Sequence, residues 1–250
     1  MGDKFYNLIN KGNGSAELFI YGEIVSGDKW DSTDVTITDF KEQLDALDYS
    51  VTTLNIFCNS PGGSVFTAVN MVNLLDRVKN RMTINAYVDG VAASASSFFI
   101  MKAHNIYMYQ NSFLMIHKPM LGLLFSPNAT VLREKADWLD QVEQATCIPA
   151  YMSKATDALT EEKLTKMLED ETWLNASEAS QYFNINILDE VKDAVACVDV
   201  DLFNTYKNVP KQLVPQQNMT ISVEEMALRQ RIADEAKANS DYLNTILGGI

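Results

Sequence analysis

The 250-residue chain is 47% hydrophobic and 21% charged, an ordinary globular composition that excludes whole-chain disorder and low-complexity repeats. Its 20 Lys and Arg against 33 Asp and Glu leave a formal net charge of −13, and an unpatterned acidic surface repels phosphate, so nucleic acid is not an expected partner. The three cysteines (Cys58, Cys147, Cys197) lie far apart with no Cys-x-x-Cys pair, so no structural metal or other cofactor is expected and free thiols suit a reducing compartment.

The first fourteen residues have neither the apolar core nor the cleavage site of a signal peptide. The Met1-Gly2 start lacks the hydroxyl residue that myristoylation needs at the sixth position, where Tyr6 stands. Val91–Met101 is the most apolar stretch, but it is short for a bilayer and broken by Ser94, Ser96 and Ser97. The expectation is a cytoplasmic protein with no membrane partner.

Glu17–Ile24 reads as a strand, and Ser32–Leu47 carries apolar residues near helical spacing with an uncertain start around Thr38 and Asp39. Thr53–Cys58 is a second strand, stopped by the turn cluster Asn59-Ser60-Pro61-Gly62-Gly63. Ser64–Lys79 presents one apolar helical face through Val65, Ala68, Val72 and Leu75. Met82–Val88 is a third strand closed by Asp89-Gly90, followed by a small-residue helix over Ala92–Met101 and short strands at Ile106–Tyr109 and Phe113–Ile116. This alternation predicts an α/β domain with stacked parallel strands.

After Pro119 the pattern turns helical, with Thr130–Thr146 long, amphipathic and charged. Ile148–Lys154, Glu161–Glu169 and Ala176–Phe183 follow, and Asn186–Val191 closes as a strand or turn. The expected division is a body over residues 1–203, a linker over 204–221 around Pro210 and Pro215, and a helical tail over 222–250. The tail opens on the capping box Ser222-Val223-Glu224-Glu225.

Four places could carry chemistry. Ser94 follows Gly90-Val91-Ala92-Ala93 at a strand-to-helix junction, where helix N-terminal amides can stabilise an oxyanion. A small serine serves tight packing equally well, and Ser96 and Ser97 compete locally. His117 ends the apolar strand Phe113–Ile116. With His104 in the polar turn Lys102–Asn105, a histidine-based enzyme has few other choices. Gly62-Gly63 allows close backbone approach to a ligand, or merely a turn. Glu169-Asp170-Glu171 is either a solvated acidic face or a source of a carboxylate for the imidazole.

In this order the motifs resemble one family. Asn59-Ser60-Pro61-Gly62-Gly63-Ser64-Val65 is similar to the glycine loop of the Clp protease proteolytic subunit, and Gly90-Val91-Ala92-Ala93-Ser94-Ala95 to its nucleophile motif. Met115-Ile116-His117-Lys118-Pro119 resembles its histidine motif, and Trp173 to Ala179 the segment after its catalytic acid. Glu171-Thr172-Trp173, Tyr21-Gly22-Glu23-Ile24 and the extra C-terminal segment look most like the bacteriophage and prophage branch, described as head-maturation (prohead) proteases. The resemblance implies a ClpP/crotonase-like α/β fold of repeated β-β-α units with a protruding handle helix, in the region of about 128–170. It implies Ser94 as nucleophile, His117 as general base, and Gly63 and Ala95 as oxyanion-hole donors, with Gly62 allowing the turn. Extended substrate would lie between Gly62, Ser64, Val65 and Phe66 on one side and Lys118, Pro119 and Met120 on the other, as an added β-strand.

The family commonly has Asp as third triad member. Here the register from Trp173 to Ala179 puts Glu171 there, with Asp170 as the alternative and a Ser–His dyad still open. The implied partners are a polypeptide substrate, further copies of the chain in a ring, and capsid or scaffold proteins or a separate AAA+ unfoldase. No P-loop is present, so ATP dependence would come from another chain. Rival readings are a crotonase-type acyl-CoA enzyme, a Ser–Lys peptidase using Lys102 or Lys118, and an inactive assembly subunit.

Overall fold

The structure is a computed structural model that describes residues 8–29, 31–121, 127–191, 205–211 and 213. All of them fall within the unit spanning Met1–Val214. The helix proposed from Ser222 lies outside the described residues.

Eight strands form one sheet: β1 (Leu8–Asn10), β2 (Ser15–Ile20), β3 (Thr53–Ser60), β4 (Thr83–Ala93), β5 (Asn105–Tyr109), β6 (Phe113–Ile116), β7 (Thr172–Asn175) and β8 (Asn186–Leu188). Their order is β1-β2-β3-β4-β5-β8, with β6 paired to β4 and β7 paired to β6. The run β2-β3-β4-β5-β8 is parallel, while β1 and β7 pair antiparallel to their neighbours. The chain is thus a mixed α/β protein, as the alternation of elements predicts.

Residues alternate faces along a strand. Leu18, Ile20, Leu54, Ile56, Ile84 and Ala86 bury one face of the sheet in the main core, against helices α1 (Ile37–Asp45), α2 (Val65–Val78) and α3 (Ala95–Ile100). On the other face the register aligns Phe19, Phe57, Tyr87 and Tyr107 as neighbours. Their rings stack at 5.0, 5.0 and 4.8 Å. Asn55, Asn85 and Asn105 form a parallel ladder of amide hydrogen bonds beside them.

Local chemistry explains where the elements differ from the sequence expectation. Helix α1 begins at Ile37 because Thr36 and Asp39 form a reciprocal capping box. Strand β2 stops at Ile20. Gly22 then passes so close to Thr33 that a Cβ there would stand 2.1 Å from the Thr33 carbonyl oxygen, and Ile24 bridges to Val35 and Gly63.

Strand β4 runs through Asp89-Gly90 instead of stopping there. At this point it leaves β5 and takes up β6, and the β3–β4 register shifts between Cys58 and Ser60. The Asn59 side chain fills the broken ladder by accepting the Val91 N–H at 3.1 Å. Gly90 leaves room for that amide, since a Cβ would meet Asn59 Oδ1 at 2.7 Å. Gly90 therefore permits a bend within a strand, and the following helix starts at Ala95 rather than Ala92.

The later helices are α4 (Ala129–Val142), α5 (Ile148–Met152), α6 (Glu161–Glu169) and α7 (Ala176–Tyr182). A π-turn over Glu143–Cys147 joins α4 to α5. Pro149 has no N–H and its ring crowds the preceding turn, so the backbone widens there while remaining helical. Helix α4 is exposed along most of its length.

Candidate active site

Two strand registers assemble the site. Ala93 of β4 lies beside Met115 of β6, and the Ser94 N–H donates to the Met115 carbonyl at 3.0 Å. Ile116 lies opposite Thr172 in the antiparallel β6–β7 pair. The next pair outward is therefore His117 and Glu171. Ser94, His117 and Glu171 each sit one step beyond a strand end, on neighbouring strands.

The contact that matters first is between Ser94 and His117: His117 Nε2 is 2.7 Å from Ser94 Oγ. Burial is the main influence on the imidazole and holds its pKa below the ordinary histidine value, while the Glu171 charge partly offsets this. The ring is consequently a neutral base at neutral pH, ready to take the serine proton.

Among the described residues, Ser94 and Glu171 are the non-glycine residues with positive φ, at 54° and 52°. Such a conformation is costly for an L-residue and persists only where the surrounding structure demands it. At Ser94 it makes the abrupt turn from β4 into α3 and lifts the side chain off the strand.

Ser96 and Ser97 are fully buried. Ser96 Oγ donates to the carbonyls of Ser60 and Ala93, and Ser97 Oγ meets the Ser94 carbonyl and the Tyr151 hydroxyl at 2.6 Å each. They hold the start of α3 and have no route to a substrate. Burial also pushes the Cys58 thiol up to about 12, so it supplies no thiolate. His104 accepts the Ile84 N–H on its Nδ1 at 2.9 Å, a structural role in an exposed turn.

Gly62 and Gly63 have φ of +100° and +126°. A Cβ on Gly62 would lie 2.5 Å from the Ala93 carbonyl oxygen, 2.7 Å from Ser94 Cβ and 3.0 Å from Ala95 N. One on Gly63 would lie 2.2 Å from the Ile24 carbonyl oxygen. The loop is anchored on both sides, with the Gly62 N–H on Ser60 Oγ, the Gly62 carbonyl accepting from Ile24 N, and Ser64 N donating to the Ile24 carbonyl. Gly63 N and Ala95 N donate to no acceptor among the described residues. Gly62, which precedes Gly63, abuts Ser94 and Ala95, so these amides lie near the Ser94 turn, where an oxyanion hole would need donors.

Ser64 caps α2 by accepting the Thr67 N–H. Phe66 is 51% exposed and packs against Trp138 of α4, and Met120 is 57% exposed. Val65 and Pro119 are half-buried. Lys118 donates its N–H to the Leu168 carbonyl and pairs its ammonium with buried Glu143 at 3.3 Å. Lys102 pairs with Asp76 at 3.8 Å. Each candidate lysine thus faces a carboxylate.

The two candidate acids differ in their surroundings. Its carboxylate is buried and acts on His117, whereas Asp170 is exposed and ion-paired with Lys166 at 2.6 Å. Glu171 Oε1 accepts hydrogen bonds from the backbone N–H groups of Lys207 (2.5 Å) and Asn208 (3.0 Å). Tyr206 completes this group. Its ring is edge-on to His117 with centroids 5.4 Å apart, and its hydroxyl donates to the Pro61 carbonyl at 2.7 Å. Sequence reasoning missed Tyr206, because it lies in a polar, proline-containing stretch that reads as a linker. No local pattern marks it.

The family model for Clp protease matches residues 7–193. Among curated proteins, none matches the chain.

Proposed function

This chain belongs to the Clp protease family, and on that premise we propose that it is a serine endopeptidase that works through Ser94, His117 and Glu171. The observation that carries the reading is the 2.7 Å contact between His117 Nε2 and Ser94 Oγ at a strained strand-to-helix turn. His117 takes the Ser94 proton as Oγ attacks the peptide carbonyl. The oxyanion that forms is held by the Gly63 and Ala95 amides. His117 then protonates the leaving amine, and water hydrolyses the acyl-enzyme by the same route. Glu171 stabilises the imidazolium in both steps.

Substrate binds extended between residues 62–66 and 118–120, where exposed Phe66 and Met120 provide apolar contact and main-chain hydrogen bonds set the register. A cavity of about 750 Å³ lined by Glu23 to Lys29 and Ser64 shares Ser64 with this groove. The exposed amphipathic α4 supports assembly into a homo-oligomeric ring that encloses the site. Glu in the acid position and a chain that runs well past the matched residues support a place in the phage head-maturation branch, acting on capsid or scaffold proteins in the host cytoplasm or procapsid. A separate AAA+ unfoldase is the alternative source of substrate.

The test is mass-spectrometric mapping of a fluorophosphonate adduct, with casein hydrolysis alongside. Modification of Ser94, lost in Ser94→Ala and His117→Ala, is expected. Labelling of another serine, or casein cleavage that survives Ser94→Ala, would overturn the assignment.

A further inference from the structure

Three consecutive residues from beyond the matched part of the chain cover the catalytic group. Tyr206 is only 8% exposed and packs with Val91, Ala93 and Met115, with Phe113, Trp173, Val209 and Leu213 around it. Its hydroxyl meets the Ser94 hydroxyl as well as the Pro61 carbonyl, and burial pushes its pKa up to about 12. Lys207 and Asn208 direct their amides to Glu171, and the Asn208 side-chain amide reaches the Asp170 carbonyl at 3.3 Å. Nucleophile, base and acid therefore each touch a different atom group of one short segment.

This apolar recess lies on the opposite face of β4 from the main core. Val91 and Ala93 point into it, whereas Ala92 between them points into the core. It offers an aromatic-sized depression, a carbonyl acceptor at its base (Pro61) and a carboxylate at its rim (Glu171) that takes two successive amides. Those are the features of a subsite for a peptide with an aromatic side chain.

Resting on the serine-peptidase reading above, we propose that this recess is a peptide-binding subsite beside the triad and that the chain fills it with its own Tyr206–Asn208, so that the full chain rests in a self-blocked state. Acylation needs free space at Ser94 Oγ, and the leaving amine must reach His117 Nε2. The Tyr206 hydroxyl stands at that place. Release of the segment opens the nucleophile and frees Glu171 to serve His117 alone. Activity then follows the fraction of molecules in which the segment has left.

The test uses the full chain and two substitutions, Tyr206→Ala and Lys207→Pro, the second removing one amide donor without touching the aromatic ring. Fluorophosphonate labelling at Ser94 should rise about tenfold or more in each, in proportion to the released fraction. Adding a synthetic peptide of residues 205–211 at millimolar concentration, comparable to the effective concentration a short tether provides, should slow labelling of Tyr206→Ala again. Hydrogen exchange read by mass spectrometry should show the Lys207 and Asn208 amides protected in the parent chain and unprotected in Tyr206→Ala. Labelling unchanged in both variants, or lowered in a folded variant, would overturn self-blocking and leave the serine-peptidase reading standing. No effect of the added peptide would overturn the subsite. Absence of labelling at Ser94 in every variant would instead sink the serine-peptidase reading and the latency with it, while amide exchange would still decide whether the segment is docked.

Discussion

Gly62→Ala should disable the site more than it destabilises the fold. The new Cβ would stand 2.5 Å from the Ala93 carbonyl oxygen and 2.7 Å from Ser94 Cβ, at a backbone φ of +100°. An L-side chain in the left-handed region costs about 1–2 kcal/mol, and forcing a methyl into a packed backbone costs about 1–3 kcal/mol more. The expected loss of stability is therefore about 2–5 kcal/mol, within reach of a folded protein. Relief of the clash requires the loop and the Ser94 turn to part by about 1 Å, and a misplacement of that size costs about 10²-fold in rate. The same movement carries Gly63 N away from Ala95 N, and losing one oxyanion donor costs about 10²–10³-fold. Gly12→Ala is the control: its φ is +73°, but nothing lies within 4 Å of the new Cβ, so strain is its only cost. Denaturant unfolding and the rate of fluorophosphonate labelling would be measured on both. A folded Gly62→Ala protein that acylates within about threefold of the parent, a change too small for a lost transition-state contact, would refute the placement of the oxyanion hole.

Glu171→Gln should lower the labelling plateau by up to about 10⁴-fold, as loss of the orienting carboxylate does in other Ser–His–acid triads, while Asp170→Asn should leave it near the parent value. The reverse ranking would show that Asp170 is the acid. Because burial depresses the His117 pKa, the imidazole stays neutral until the pH falls below the ordinary histidine range, so the acid limb of the labelling profile should lie below 6.5. Glu171→Gln removes the charge that raises this pKa, and the limb should move to still lower pH; a shift upward would contradict the assignment. Ser97→Ala should cost about 1 kcal/mol of stability for its lost hydrogen bonds yet keep Ser94 labelling, and loss of labelling in a stable protein would reopen the choice of nucleophile. Leu132→Glu on exposed α4 should weaken self-association by about tenfold or more, since burying a leucine is worth roughly 1.5–3 kcal/mol; light scattering that shows unchanged assembly would move the interface elsewhere.

The fold class was legible in the residues themselves, because period-2 and period-3.6 patterns report which face of each element is buried. The strands at Thr53 and Ile106 and the helix behind Ser64 follow from that pattern alone. Ser94, His117 and the glycine pair were legible as motifs, since a glycine pair and a serine at a strand-to-helix turn are chemical demands of a local backbone. Local pattern could not choose Ser94 over Ser96 or Ser97. The choice comes from tertiary burial, which ties both rivals to carbonyl oxygens. Gly90 read as a stop because the Asn59 amide that carries the strand past it arrives from 31 residues earlier in the chain. The preference for Glu171 over Asp170 is a matter of register: Ile116 opposite Thr172 places Glu171 across from His117. Tyr206 had no signal at all. Its role depends on a recess built by β4, β6 and β7, and a contact between residues 206 and 61 has no trace in either segment's own composition. Local sequence sets backbone preference and burial pattern, whereas the meeting of distant segments is decided by packing.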